Sequence, residues 1–232
     1  MKKNNVLAIA CALLLGMSSV APLCAQESGN WSMTVGTDAV SSYLWRGMNL
    51  AGPSMQPSAY FDYEKGDWAV SLGTWGTKSF LKNDYNEFDL SVEATWRNVT
   101  LSLVNYNEFE GANFNGHCLD LGLSYTLSEN VPVTFSWYSI VNKTGIPSYL
   151  EVVYDFSVSV VDFSVAAGVL PFASGYYESD KAGVCNLNLS AGHEFEFEHG
   201  GSMPVSAQVM YNPMWNDFFW GVSVGYYFSL DF

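Results

Sequence analysis

Large apolar residues occupy every second position of the last fifteen residues, 218–232, from Phe218 to Phe232. The positions between them are mostly small or polar, such as Gly221, Ser223 and Asp231. This alternation predicts a β-strand with one apolar face and one polar face. At about 3.3 Å per residue the strand is long enough to cross a bilayer core, which takes about 9 to 11 tilted residues.

The same alternation recurs along the chain and predicts twelve strands. In residues 149–169 the apolar positions change from even to odd numbers, and a single strand cannot exchange its two faces in this way. A turn is therefore expected near Ser159. The predicted strands are 31–45 with a bulge near 38–41, 57–64, 68–75, 87–96, 99–106, 119–126, 133–138, 149–158, 160–169, 186–197, 205–211 and 218–232.

The connections between these strands alternate between short and longer ones. The short ones are 65–66, 97–98, 128–132, the turn near 159, and 198–202, and the longer ones are 46–56, 77–84, 107–117, 142–147, 171–183 and 212–217. Outer-membrane barrels show this alternation because both of their termini lie in the periplasm. We therefore expect an all-β fold, a transmembrane antiparallel up-and-down β-barrel of about twelve strands. A soluble sandwich of short strands is the alternative, but it would leave sheet edges to protect.

The N-terminus and the composition agree with this class. Residues 1–25 carry Lys2 and Lys3 before an apolar run and a small-residue region, which predicts a secretory signal peptide followed by a barrel domain at 26–232. Aromatic residues make up 16% of the chain and charged residues only 14%. Without the two lysines, 7 basic residues face 23 acidic ones, a formal charge of −16. This charge argues against a nucleic-acid partner.

Aromatic residues fall at both ends of the predicted strands, where the two girdles of a membrane barrel belong. Those expected at the periplasmic ends are Trp31, Trp68, Trp96, Phe228 and Phe232. Those expected at the outer ends are Trp45, Tyr149, Tyr211 and Trp220. The expected surroundings are outer-membrane lipid and lipopolysaccharide.

Segment 41–47, which reads SSYLWRG, is followed by Gly52 and by Met-Gln-Pro at 55–57. This stretch resembles the N-terminal signature of the TorF-like porin family, also called Gcw_chp proteins. Segments 72–77 and 86–90 are similar to the next blocks of family members from Bacteroides-type bacteria. The resemblance implies an outer-membrane barrel of porin type and carries over no functional residues.

The predicted inner face is rich in Ser, Thr, Gly and Ala, which leave space, so twelve strands predict a narrow aqueous lumen. Acidic residues point into it with no base on the same strand interiors, and Arg46 is the one base near a strand end. The predicted acidic lining is Asp62, Glu64, Glu87, Asp89, Glu93, Asp120, Glu151, Asp155, Asp162, Glu194 and Glu196. The predicted aromatic lining is Tyr60, Trp75, Tyr106 and Tyr138.

This lining predicts a channel for small cationic or neutral polar solutes. The alternative is a non-conducting structural barrel whose interior carboxyl groups are hydrogen-bonded to tyrosine, serine and threonine.

A second alternative is a lipid-modifying enzyme, which needs a histidine beside a Ser or Thr nucleophile. No such motif accompanies His117, His193 or His199, so no catalytic residue is expected. No metal or cofactor is expected either, because Glu194, Glu196 and His199 lack a diagnostic spacing.

Two further expectations concern the end of the chain and the cysteines. An aromatic last residue after unbroken alternation resembles the signal that barrel-assembly machinery reads, so Phe232 is the candidate assembly signal. Cys118 and Cys185 are expected to remain unbridged. The alternation of faces along the strands turns Cys118 inward and Cys185 outward, and their strands are not neighbours.

Overall fold

A closed β-barrel dominates the structure, a computed structural model that describes residues 29–81, 84–110, 113–128, 130–197 and 201–232. The predicted signal peptide and His199 lie outside the described residues. Within the described ranges the strands are β1 (Asn30–Val40), β2 (Tyr43–Trp45), β3 (Met48–Ala51), β4 (Ser54–Lys65), β5 (Trp68–Ser79), β6 (Tyr85–Trp96), β7 (Val99–Glu110), β8 (Asn113–Ser128), β9 (Val131–Ile140), β10 (Ser148–Val158), β11 (Val161–Leu170), β12 (Gly183–Glu196), β13 (Gly201–Asn212) and β14 (Asp217–Asp231).

Twelve of these described strands, all but β2 and β3, form one antiparallel ring. The ring closes where β1 pairs with β14 on one side and with β4 on the other, so that Val35 lies opposite both Phe228 and Ala59. The predicted fold class is confirmed. We call the end of the barrel that carries Asn30 and Phe232 the terminal end, and the opposite end the loop end.

The outer surface of the barrel is apolar. On β14 the even positions, such as Val222 and Val224, are exposed, whereas the odd positions from Gly221 to Tyr227 are buried. A closed ring leaves no unpaired strand edge, which is the condition for crossing a bilayer with strands. The architecture is therefore consistent with an outer-membrane protein. No helix of the length and apolarity needed to span a membrane occurs in the described part of the chain.

Aromatic pairs mark both ends of this surface. At the terminal end, the ring centroids of Trp68 and Trp96 lie 6.1 Å apart, and Trp31 stacks on Phe61 at 4.9 Å. At the loop end, Tyr211 stacks on its cross-strand neighbour Phe218 at 4.4 Å. Such girdles are typical of membrane barrels, since amphipathic rings are favoured at the lipid–water boundary.

The prediction of one continuous strand over 31–45 followed by a loop is wrong. Strand β1 ends at Val40, and the chain then forms the hairpin β2–β3. Arg46 and Gly47 make its two-residue turn with φ values of 45° and 89°. Positive φ at both central residues is typical of the tight turns that suit the twist of paired strands. We call residues 41–53 the Arg46 hairpin.

The predicted loop 107–117 is also wrong. Strand β7 continues to Glu110 and β8 begins at Asn113, with a register shift between Glu108 and Phe109. Phe109 and Phe114 pack across the two strands with ring centroids 5.5 Å apart. Gly111 and Gly116 suggested a loop, whereas a cross-strand aromatic pair stabilises this stretch as an extended hairpin.

The predicted turn near Ser159 is confirmed. Val158 lies opposite Val161 at the end of the β10–β11 pair, and Ser159 has a φ of 58°. The exchange of parity along 149–169 therefore marks a real change of strand.

Candidate functional site in the barrel interior

The Arg46 hairpin lies inside the barrel, at the loop end. Asn212 on β13 donates a hydrogen bond of 3.0 Å from Nδ2 to the carbonyl oxygen of Gly47. A Cβ added to Gly47 would overlap the carbonyl oxygen of Cys185 on β12, so only glycine fits at this distance from the wall. Leu44 is buried beside Gly221 on β14. Three strands of the wall therefore hold the hairpin in the lumen.

Arg46 is the centre of the contacts that the hairpin makes. Its Nη2 lies 2.6 Å from Oδ2 of Asp120, and its Nη1 donates to the hydroxyl of Tyr177 at 2.9 Å. The guanidinium lies 4.2 Å from the ring centroid of Tyr138 and 5.2 Å from that of Tyr149. Arg46 and Asp120 side chains are only 8% and 2% exposed. The expected interior of acids without a base is thus corrected: Arg46 enters the lumen and neutralises Asp120.

The segment between β11 and β12, residues 171–182, packs against the Arg46 hairpin. We call the two together the plug. Tyr177 stacks on Trp45 with ring centroids 5.9 Å apart, and Tyr176 meets the same indole edge-on at 6.3 Å. Tyr149 lies 6.3 Å from Tyr177 and is fully buried. The loop end of the lumen is therefore filled by aromatic rings around one guanidinium.

Two aromatic residues expected in the outer girdle, Trp45 and Tyr149, are thus inside the barrel, and that prediction is wrong for both. Trp45 belongs to the inserted hairpin rather than to a wall strand. Tyr149 is an odd-numbered residue of β10, whose even positions Leu150 and Val152 are the exposed ones. Parity alone places Tyr149 on the inner face.

Four predicted acidic residues, Glu87, Asp89, Asp120 and Glu151, lie buried near the plug. Glu87 accepts a hydrogen bond of 3.1 Å from the hydroxyl of Tyr43 on the hairpin. Asp120 accepts one of 2.9 Å from Tyr106 in addition to the Arg46 contact. Glu87 and Asp120 therefore hold the hairpin directly.

Glu151 belongs to a separate small network. It accepts hydrogen bonds from the Tyr149 hydroxyl at 2.6 Å and from Nδ2 of Asn186 at 3.4 Å. Asn186 also donates to the Tyr149 hydroxyl at 2.9 Å. None of these hydrogen bonds comes from a basic side chain, so they do not neutralise the charge of an ionised Glu151.

The other seven predicted acids lie toward the terminal end, and their exposure increases in that direction. Asp62 and Glu93 flank Ser71 in one lateral row across β4, β5 and β6. Within this group Asp62, Glu93, Asp155, Asp162 and Glu194 are partly buried, whereas Glu64 and Glu196 are exposed. Water therefore reaches the inner face from the terminal end. That these residues line a conducting path stays a prediction.

The four predicted interior aromatics also lie within the barrel. Tyr60 lies beside Gly73, and the ring centroid of Trp75 is 5.2 Å from that of Tyr43 on the hairpin. Tyr106 and Tyr138 are buried against Asp120 and Arg46 respectively, as described above. All but Tyr60 contribute to holding the hairpin.

Sequence reasoning missed two further interior carboxyl groups. Asp38 is buried and accepts a hydrogen bond from Tyr227, but the expected bulge at 38–41 concealed its direction. Glu108 accepts a weak hydrogen bond of 3.5 Å from Sγ of Cys118, but it had been placed in a loop. Continuing the alternation of 31–37 through Asp38 would have found the first of them.

Cys118 and Cys185 are both free and buried. The predicted outward direction of Cys185 is wrong, since it packs with Tyr138, Tyr149 and Tyr177 inside the barrel. The register of β12 against β11 shifts next to Gly168, so that Cys185 and Asn186 both face inward. A bulge of one extra residue reverses parity in this way.

A cavity of about 70 Å³ lies beneath the Arg46 hairpin. Its wall includes Arg46 itself and side chains from β6, β8, β10, β12 and β13, chiefly Glu93, Asp120, Glu151, Asn186, Asn188 and Gln208. It therefore connects the plug with the acidic row that contains Glu93.

The described histidines make structural contacts. Nδ1 of His117 lies 3.1 Å from Oδ1 of Asn105, and Nδ1 of His193 lies 2.6 Å from the carbonyl oxygen of Val160. In the part of the chain that the structure describes, no three His, Cys, Asp or Glu side chains are grouped to hold a metal ion.

The fold and its apolar exterior define a twelve-stranded transmembrane β-barrel. No family model and no curated protein matches the chain. Among solved structures, several mutants of a porin from Rhodopseudomonas blastica are similar at 11% sequence identity, with 88% of this chain and 99% of that chain covered and a TM-score of 0.34. The assignment to the barrel class rests on the strand pairing of the chain itself.

Proposed function

We propose that the chain is an outer-membrane channel for small cationic or neutral polar solutes, closed at its outer mouth by the Arg46 hairpin. Both termini lie in the periplasm in this proposal, and the activity is transport rather than catalysis. The observation that carries it is the sign of the interior charge. The eleven interior acids predicted from sequence, together with Asp38 and Glu108, far outnumber the one base that the hairpin brings into the lumen. That base, Arg46, is already paired with Asp120.

A negative interior favours one class of solute. Narrow walls of low dielectric constant focus the field of interior charges instead of screening it. Cations are therefore concentrated in the lumen, neutral polar solutes are tolerated, and anions are excluded.

The terminal half of the lumen has the form that such a channel needs. Small side chains, among them Ser71, Gly73, Ser102 and Gly122, cover its inner face and leave room for water. The exposed Glu64 leads to Asp62 and then to Glu93, which lines the cavity below the hairpin. A cation from the terminal end meets Glu64 first and then the row that contains Asp62 and Glu93.

The hairpin supports a second candidate, a non-conducting structural barrel. Its tip is held by an ion pair, by two aromatic rings of the wall and by a glycine that touches the wall. A seat with this many contacts is also what a permanent plug requires. The two candidates differ in whether the hairpin leaves its seat.

Membership of the TorF-like family is part of the proposal, supported by the signature at 41–47. In this structure that signature forms the hairpin and places its arginine and glycine at the tip. Outer-membrane lipid, lipopolysaccharide and the barrel-assembly machinery are the proposed surroundings and partner.

Planar-bilayer recording under a KCl gradient tests the function. It is made on wild type and on a variant in which residues 41–53 are replaced by a short Gly-Ser link, so that a closed hairpin is not mistaken for a missing path. We expect a reversal potential of the sign set by K⁺ diffusion. Substituting Glu87, Asp89 and Glu151 by Gln or Asn should weaken this selectivity. Anion selectivity, or no current from either well-folded protein, contradicts the proposal.

A further inference from the structure

Three buried oxygen atoms at the cavity beneath the Arg46 hairpin have no hydrogen-bond partner within the protein. They are Oδ1 of Asp120, of Asn186 and of Asn188. These side chains are 2%, 3% and 4% exposed, and all three line this cavity. A buried acceptor without a partner costs free energy, so three around one small cavity call for a ligand that donates or carries positive charge.

The second polar atom of each side chain is already bound, and this fixes which atom is left over. Oδ2 of Asp120 contacts Arg46 and Tyr106. Nδ2 of Asn186 donates to Tyr149 and to the carboxylate of Glu151, which can only accept when it is ionised. Nδ2 of Asn188 donates to Oε1 of Gln208 at 2.9 Å. The unpaired atoms of Asp120 and Asn186 are therefore acceptors, and so is that of Asn188 in the amide orientation of this structure.

The charge of the wall is also unbalanced. The residues that line the cavity include one base, Arg46, and it is neutralised by Asp120. Glu93 and Glu151 remain, which gives the wall a formal charge of −2 when both are ionised. Water satisfies unpaired acceptors but does not offset this charge, whereas a cation does both.

We infer that this cavity binds one small monovalent cation through the oxygens of Asp120, Asn186, Asn188 and Glu151. Carboxylate and amide oxygens are ligands of hard cations. The described residues hold no cluster of three carboxylate, histidine or cysteine side chains of the kind that divalent metals take. The cavity volume of about 70 Å³ admits an alkali-metal ion or an ammonium group with some water, since one water needs about 10 to 15 Å³.

Access to this site lies on the terminal side. Arg46 covers the cavity toward the loop end, while Glu93 belongs both to the cavity wall and to the row that contains Asp62. Cation binding at this site does not require the proposed channel function, because a barrel that does not conduct also contains the site.

Equilibrium dialysis with ⁸⁶Rb⁺ as the probe tests the inference on the refolded barrel in detergent at constant ionic strength. We expect one saturable site per chain, displaced by K⁺ or ammonium but not by choline, which is too large for the cavity. Glu151→Gln keeps the shape and removes one charge, and it should weaken Rb⁺ binding at least tenfold. Asp67→Asn makes the same change in an exposed turn and should leave binding unaltered.

The result depends on folded protein, so each variant is first shown to migrate as a heat-modifiable barrel. If Glu151→Gln does not refold, Asn188→Ala replaces it with the same expected direction. Absence of saturable binding in wild type, equal displacement by choline, or equal binding by wild type and the cavity variant overturns the inference. None of these outcomes depends on conductance, so a failure here is distinct from a failure of the channel proposal.

Discussion

The guanidinium of Arg46 lies 2.6 Å from the carboxylate of Asp120, a residue 74 positions further along the chain and on the wall strand β8. The contact joins the tip of an inserted hairpin to the inner face of the barrel. Both partners are almost completely buried. A buried charge that loses its partner is strongly unfavourable, so we expect this pair to hold the hairpin in the lumen.

Asp120→Asn should release the hairpin without unfolding the barrel. Removing one partner of a buried ion pair costs about 3 to 5 kcal/mol, and the wall strands keep their own pairing. We therefore expect trypsin to cleave after Arg46 in the variant and not in wild type. The measurement is the appearance of a fragment that begins at Gly47, followed by mass spectrometry.

Asp67→Asn is the matched control for that experiment. Asp67 pairs with Arg97 at 2.8 Å, but these side chains are 51% and 63% exposed. Exposed pairs contribute little, so the tryptic pattern should remain that of wild type. Equal cleavage after Arg46 in wild type and Asp120→Asn would show that the pair does not hold the hairpin.

Gly47→Ala should displace the hairpin for a steric reason. The new Cβ would overlap the carbonyl oxygen of Cys185, and φ at this position is 89°. Gly145→Ala is a close control, because Gly145 has a φ of 80° but nothing within 4 Å of an added Cβ. We expect trypsin sensitivity after Arg46 in the first variant alone. Similar sensitivity in both would show that the overlap with Cys185 is not what displaces the hairpin.

Asp84 should make the loop end sensitive to acid. Partial burial raises the pKa of Asp84, but hydrogen bonds from the Ser79 hydroxyl at 2.7 Å and from the amides of Gly52 and Tyr85 lower it by more, so the pKa lies below its usual range. A lowered folded-state pKa gives stability that is present above the usual aspartate pKa and is lost as the pH falls through the folded-state pKa.

Urea unfolding midpoints of wild type and Asp84→Asn across an acid titration check this expectation. Wild type should be the more stable protein near neutral pH, and the difference should disappear at the acid end. A difference that persists when the carboxyl is protonated, or that grows on acidification, would show that Asp84 does not act through its charge.

Removal of Phe232 should reduce assembly far more than stability. Its side chain is 72% exposed, and its amide donates to the carbonyl of Trp31 at 2.9 Å. The loss of this small contact leaves the pairing of β1 with β14 in place, so a large fall in heat-modifiable protein in outer-membrane fractions would come from recognition. A normal yield in vivo from the shortened chain would contradict the assembly role.

Most of the fold could be predicted because lipid and lumen impose a strict alternation on each wall strand. The change of parity at Ser159 even located a turn within an apolar run. The Arg46 hairpin could not be found in this way, since Tyr43 and Trp45 continue an alternation that a hairpin inside the lumen satisfies as well as a wall strand does. The adjacent Arg46 and Gly47 were the available signal for a tight turn.

The candidate site was predictable only in its charge. The parity of wall strands identified acids such as Glu87 and Asp89, which the structure places inside the barrel. It gave no partner for Asp120, because that partner comes from a segment outside the wall. It also misplaced Cys185, since the bulge next to Asn186 reverses the alternation of the residues before it and leaves no mark in the pattern of apolar positions.

Single-channel recording of Asp120→Asn beside Asp67→Asn tests most directly whether the hairpin closes an acidic path. Both variants lose one carboxylate, and only the first loses the seat of Arg46. The account predicts that Asp120→Asn opens far more often than Asp67→Asn and that its current is carried by K⁺ under a KCl gradient. Equal and negligible current from both folded variants, or a current carried by Cl⁻, would contradict it.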